Sequence, residues 1–158
     1  MSQIKTNAMR ILDQKKIGYI INTYDNKDGK TDGVSVADKI GKDPGSVFKT
    51  LVCQGHGRNI YVFVIPVQEE LDLKKAAKAV EEKNVEMIPV KDILKFTGYI
   101  RGGCSPVGMK KEYATILDLS ALALDKIIVS GGKIGFQIEL KAGDLCEAVK
   151  AKFEDIIK

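Results

Sequence analysis

Apolar residues recur along the chain with two different spacings, and the switches between them predict its elements. Ile4, Ala8, Ile11 and Leu12 follow helical spacing, and Gly18 supplies a stop soon after. Tyr19–Tyr24 reads as a strand, and the polar, glycine-bearing stretch from Asp25 to Gly33 as a loop. Ser35 with Asp38 three residues on resembles a capping box opening a short helix, and Asp43-Pro44 opens a further helical turn. Phe48–Gln54 and Asn59–Val67 are β-rich runs around Gly55-His56-Gly57, which predicts a hairpin ended by Pro66. Leu73, Ala76, Ala77 and Val80 mark a helix starting near Asp72. A short strand at Val85–Ile88 and a short helix near Val90–Phe96 follow. Gly98–Gly108 is the least regular stretch. Beyond it Thr115–Leu117, Lys126–Ser130 and Phe136–Leu140 read as strands, and a final helix runs from Ala142 to Ile156 with Leu145, Val149 and Phe153 on one side.

Helices and strands are mixed without strict βαβ alternation, and hairpins suggest antiparallel pairing, so the class is α+β or mixed α/β. No internal repeat, low-complexity tract or linker interrupts the chain, and 158 residues suit one domain over 1–158. No apolar run approaches the roughly 20 residues of a membrane helix, and the start MSQIKTNAMR lacks the apolar core of a secretory signal, so a cytoplasmic location with no membrane contact is expected. Cys53, Cys104 and Cys146 have no metal-type spacing, and His56 is the lone histidine. Neither a disulfide framework nor a metal site is therefore indicated, and no cofactor is expected. His56 reads as part of a surface turn. Net charge is +4, carried almost wholly by lysine, with arginine only at positions 10, 58 and 101. That balance permits weak, salt-sensitive contact with a nucleic-acid backbone but does not require it.

Three segments carry candidate chemistry. Thr97 to Gly108 holds Gly98, Gly102, Gly103, Gly108 and Pro106. Glycines allow positive φ and close approach of a ligand to the amides, and consecutive exposed amides make a donor site for an anion or an oxyanion. The dinucleotide pattern G-x-G-x-x-G is absent, and Met109-Lys110 after Gly108 excludes a P-loop. The alternative is a tight connection with no ligand. In Phe48-Lys49-Thr50-Leu51-Val52, alternation sets Phe48, Thr50 and Val52 on one face and Lys49, Leu51 and Cys53 on the other. Lys49 is either a solvent-facing edge lysine or a ligand group entering a pocket. Ser130-Gly131-Gly132-Lys133 is either a plain turn or a strand end presenting Ser130 and amides. Cys104 in the glycine loop is a conceivable nucleophile if neighbouring amides lower its pKa, but His56 is the sole imidazole available to activate it.

Together these pieces resemble the YbaK/EbsC family, free-standing relatives of the editing domain inserted in bacterial prolyl-tRNA synthetases. The matching segments are Thr23-Tyr24, Val47 to Leu51, Glu70 to Lys75, Thr97-Gly98-Tyr99 with Gly102-Gly103 and Ser105-Pro106, Val129 to Lys133, and Ile138-Glu139-Leu140 with Ala142 to Leu145. They span nearly the whole chain in order. The resemblance implies a curved, partly barrel-like mixed sheet flanked by helices. It implies hydrolysis of misacylated tRNA, chiefly Cys-tRNA(Pro), with Cys-tRNA(Cys) as a further substrate, by attack of the substrate's own thiol. The partners it implies are the 3′ end of aminoacyl-tRNA and prolyl-tRNA synthetase. It assigns Lys49 and Gly102 to catalysis and Tyr24, Phe48, Thr50, Gly98, Gly103, Ser130 and Gly131 to substrate binding. Gln137 departs from the acidic residue expected near that position, and the family pattern requires no thiol at Cys104. Two other readings stand beside it, an Ala-tRNA(Pro) deacylase and a non-catalytic tRNA- or nucleotide-binding module.

Overall fold

A computed structural model describes residues 5–158. The helices are α1 (Asn7–Gln14), α2 (Gly33–Lys39), α3 (Leu73–Ala79), α4 (Ile93–Thr97) and α5 (Ala142–Val149). The strands are β1 (Ile20–Thr23), β2 (Phe48–Gly55), β3 (Ile60–Pro66), β4 (Val85–Met87), β5 (Ala114–Asp118), β6 (Lys126–Lys133), β7 (Phe136–Lys141) and β8 (Lys152–Glu154). Ile4, expected in the first helix, lies outside the described residues. Ala8 and Leu12 are fully buried and Ile11 packs beside them, as their spacing predicts.

One sheet has the order β1-β7-β6 and is antiparallel throughout. The other has the order β4-β2-β3-β5-β8. Its centre is the expected hairpin, with β2 and β3 in register from Phe48↔Pro66 to Gln54↔Ile60. Antiparallel pairing ends there, because β5 joins β3 and β8 joins β5 in parallel, so this sheet is mixed. A parallel bridge between Val47 and Ile128 joins the two sheets at one corner. The expected barrel-like curvature takes this form, two sheets meeting at a corner without closing.

Strand alternation divides the apolar residues between two cores. Val62, Val64 and Leu117 face α1, α5 and the three-stranded sheet. Phe63, Ile65 and Ile116 face α3. The central β3 is thus buried on both sides, which is why it reads as a continuous apolar run. A third cluster of Ala37, Val47, Val67 and Ile128 seats α2 on the seam where the sheets meet.

Two expectations are corrected. The residue capping α2 is Asp32, whose side chain accepts the Ser35 N–H, so Ser35 is the third residue of that helix and not its cap. The final helix does not run to Ile156. It ends at Val149 because Lys150 turns into the left-handed region at φ 55°, and Ala151 N–H returns to the Cys146 carbonyl. Lys152–Glu154 then pairs with β5. Leu145, Val149 and Phe153 still reach one core, which is the origin of the misleading periodicity.

A left-handed conformation costs a non-glycine residue roughly 1 kcal/mol. The ion pair of Lys150 with Glu112 is exposed, so its loss has little effect. Lys150→Gly is therefore expected to stabilise the fold by about 0.5–1 kcal/mol in urea denaturation, and a loss of stability would refute this account of the helix end.

Candidate active site

On the side of β2 away from β3, the neighbouring strand β4 pairs only with Cys53–Gly55. The stretch from Phe48 to Leu51 is left facing a cavity of about 400 Å³. That is near the small end of the roughly 300–1,000 Å³ range of ligand pockets. Its walls come from five places: residues 31–36, the start of β2, Val67 just beyond β3, the glycine loop at Arg101, Gly102 and Cys104, and the facing pair Ser130 and Gln137 on β6 and β7.

Five sequence-selected residues meet here, namely Phe48, Lys49, Thr50, Gly102 and Ser130. Lys49 makes no hydrogen bond or ion pair among the described residues. The Thr50 hydroxyl is buried and has no partner. The Ser130 hydroxyl accepts the Gly132 N–H and keeps its own proton free to donate. Gln137, paired through its backbone in the sheet, also lines the cavity, and its side chain makes no hydrogen bond among the described residues. Buried polar groups are normally satisfied, so this concentration of uncommitted donors and acceptors marks a surface built to meet a polar ligand.

The glycine loop is held by its own contacts. Gly98 caps α4 at φ +83°. The Thr97 hydroxyl donates to the Ile93 carbonyl and accepts the Tyr99 N–H. Tyr99 crosses the loop to donate to the Val107 carbonyl at 2.6 Å, and buried Ser105 accepts the Val107 N–H. The Gly103 N–H is committed to the Ile100 carbonyl, whereas those of Gly102 and Cys104 have no acceptor among the described residues. The donors that the loop can offer are therefore at positions 102 and 104.

The remaining expected binding residues lie elsewhere. Gly103 packs against the β6–β7 hairpin, where a Cβ would stand 3.0 Å from Ile134 N and 3.2 Å from Lys133 Cα. Gly131 sits inside a bulge of β6, its carbonyl accepting from Thr6 and its Cα against Met9. The segment Ser130–Lys133 is thus neither a plain turn nor a strand end. Gly98 abuts Lys110. Tyr24 faces a separate recess beside Lys39, with its hydroxyl buried and unpartnered. Gly98, Gly103 and Gly131 therefore shape the walls without lining the cavity.

The sequence pattern predicts only a loop and a helix start over residues 31–36 and gives no sign of the wall they form. A cage around Lys39 fixes it. The Lys39 ammonium donates to the Asp25 carbonyl at 2.8 Å, Asp28 Oδ1 at 2.7 Å and the Lys30 carbonyl at 2.9 Å, and lies 5.7 Å from the centre of the Tyr24 ring. All three ammonium protons are thereby used. The loop then brings Thr31 Oγ1 to 3.4 Å from the position a Cβ would take on Gly102.

The cysteines are not tuned for nucleophilic attack. Burial pushes the Cys104 thiol up to about 11, against the amide-lowered pKa that a nucleophile there requires. Burial pushes Cys53 up to about 12. His56 is exposed in its hairpin turn, and the cavity lining holds no imidazole.

Cys104 should resist alkylation by iodoacetamide at neutral pH in the native protein, and Cys104→Ala should retain activity within about twofold. Rapid native labelling would contradict its high thiol pKa. Replacing Lys39 by Met leaves three oxygens of the cage without their donor. Protease cleavage between Asp25 and Asp32 should then accelerate, with a stability loss of about 1–3 kcal/mol in denaturation, and a wild-type digestion pattern would dismiss the cage as the loop's anchor.

The chain matches the family model for the aminoacyl-tRNA editing domain over residues 29–148, a span holding every cavity residue. It is 45% identical over 155 residues to EbsC of Enterococcus faecalis, named as a candidate Cys-tRNA(Pro)/Cys-tRNA(Cys) deacylase, covering 98% of this chain and 94% of that one. A crystal structure of a candidate trans-editing enzyme for prolyl-tRNA synthetase has the same fold, with a TM-score of 0.83 at 21% identity over 99% of both chains. The hypothetical protein APE2540 does too, with a TM-score of 0.88 at 19% identity over 97% of this chain and all of that one. By its family match and by its full-length likeness to EbsC, this chain belongs to the aminoacyl-tRNA editing domain family, in its YbaK/EbsC branch.

Proposed function

We propose that this protein deacylates cysteinyl-tRNA, with Cys-tRNA(Pro) as its main substrate and Cys-tRNA(Cys) as a second, by chemistry that uses the substrate's own thiol. The observation that carries the reading is the makeup of the cavity: a free ammonium and unpaired amides and hydroxyls, with no imidazole and no low-pKa protein thiol. Its one carboxylate, Asp32, is held below the usual carboxylate range by hydrogen bonding from Ser35, which makes it a weak general base toward water. The cavity is well suited to orienting a substrate that brings its own nucleophile. The full-length identity to EbsC supports the same substrate.

In the proposed reaction the cysteinyl sulfur, losing its proton, attacks the carbonyl carbon of its own ester. Negative charge develops on the carbonyl oxygen as the carbon becomes tetrahedral. Collapse breaks the bond to the ribose oxygen, which takes up a proton and leaves as free tRNA. The other product is a strained cyclic thiolactone that water opens to cysteine. The N–H groups of Gly102 and Cys104 are the donors for the oxyanion, and the Lys49 ammonium holds the reacting end electrostatically. Phe48, Thr50 and Ser130 bound the aminoacyl group. Prolyl-tRNA synthetase, holding the tRNA body, is the proposed partner.

Assayed side by side, Cys-tRNA(Pro) should be deacylated much faster than Ser-tRNA or Ala-tRNA(Pro), which lack the thiol. Comparable rates on the alanyl ester would transfer the protein to the Ala-tRNA(Pro) reading. Binding without turnover of any ester would leave the non-catalytic module. Lys49→Ala should lower kcat/KM on Cys-tRNA(Pro) by about 10²–10³, the usual cost of one transition-state donor, with an unchanged melting transition, and full activity in that variant would remove Lys49 from the chemistry.

A further inference from the structure

Asp32 is the only carboxylate among the residues that line the cavity, where the cationic groups are Lys49 and Arg101. Its Oδ2 accepts the Ser35 N–H at 3.1 Å, and no cation pairs with this carboxylate among the described residues. Hydrogen bonding from Ser35 holds this carboxyl below the usual carboxylate range, so it is ionised at neutral pH. Arg101 stands on the opposite loop, which touches the Asp32 loop through Thr31 and Gly102. Yet Asp32 and Arg101 form no ion pair with each other among the described residues. The Lys39 cage fixes the loop that carries Asp32. The cavity mouth therefore holds one anchored, exposed negative charge with no cationic partner among the described residues.

An aminoacyl ester carries one group that can be cationic, the α-ammonium on the carbon next to the reacting carbonyl. Any side chain that docks in the cavity brings this group along. When the amine is acylated, as in peptidyl-tRNA, that charge is gone. From the single carboxylate on the wall and the uncommitted Gln137 side chain that lines the same cavity, we infer that Asp32 is a specificity residue that binds the substrate's α-ammonium and restricts the site to esters with a free amine. The inference rests on the deacylase reading above. It adds a determinant that acts on every aminoacyl group alike and separates aminoacyl-tRNA from peptidyl-tRNA.

Asp32 also caps α2, so a test must keep the cap and remove the charge. Asparagine and serine cap nearly as well as aspartate, so Asp32→Asn and Asp32→Ser should melt close to the wild type. Each protein is assayed on Cys-tRNA(Pro) and on N-acetyl-Cys-tRNA(Pro), whose thiol and ester are intact. The wild type should favour the free amine by at least about tenfold in kcat/KM, the scale of one charge-assisted hydrogen bond. Both variants should lose about tenfold on the free-amine ester and little on the acetylated one, so that the preference collapses. Equal wild-type rates on the two esters would overturn the inference and leave the deacylase intact. A preference that survives in both variants would also overturn it, assigning the exclusion to the bulk of the acetyl group. If the wild type acts on neither ester, the deacylase reading itself fails and this inference goes with it.

Discussion

The site depends on one backbone-to-backbone approach, that of Gly103 to Lys133 and Ile134. A Cβ at position 103 would meet backbone atoms at 3.0–3.2 Å, and backbone cannot move aside as a flexible side chain can. Glycine lets the loop lie this close to the β6–β7 hairpin without either backbone giving way. Because it does, the flanking Gly102 and Cys104 face β2 across the cavity, and Arg101 reaches the mouth. The loop's internal bonds through Thr97, Tyr99 and Ser105 keep that placement from relaxing. The residue that orders the cavity thus contributes no atom to its lining.

Rigidity around the cavity is matched by dissatisfaction within it. The Thr50 hydroxyl is withdrawn from bulk water without a protein partner. Such a group costs about 1–3 kcal/mol unless a ligand or water meets it. The surrounding cores bear that cost, since the five-stranded sheet is covered on both faces by large, fully buried side chains. Elsewhere charged groups are tied down. The Lys39 ammonium spends every proton on its cage, and the Asp118 carboxylate, buried at the end of β5, accepts from both Ser120 and Ile156. Lys49 is uncommitted against this background.

Much of this was legible from the chain, and the limits have physical causes. The β2–β3 hairpin was readable because its strands are long, β-rich and joined by a short glycine turn. The helix end at Lys150 was not, because no glycine or proline announces it and the apolar spacing continues into β8. Phe48, Lys49, Thr50, Gly102 and Ser130 were found because family resemblance drew attention to segments that the fold brings together. Gly98, Gly103 and Gly131 came from the same segments, yet they serve caps and close packing. Sequence alone cannot tell a glycine that exposes an amide from one that makes room for a neighbouring strand. Asp32 was invisible for the opposite reason. It sits in a polar stretch where an aspartate is ordinary, and only the cavity makes it the sole acid on a wall otherwise supplied with cations.

The size of the cavity limits what this protein can recognise. About 400 Å³ suits an aminoacyl group with part of its ribose, and leaves the acceptor stem and the rest of the tRNA outside. Outside it the chain offers a net charge of only +4, mostly lysine. Lysines hold phosphates as point charges and read no sequence. On the proposed reading, discrimination by the isolated domain acts on the amino acid. The identity of the tRNA has to be imposed by something that grips the tRNA body. On the proposed reading, a synthetase that presents the 3′ end to this small site converts a weak bimolecular encounter into a local one at high effective concentration.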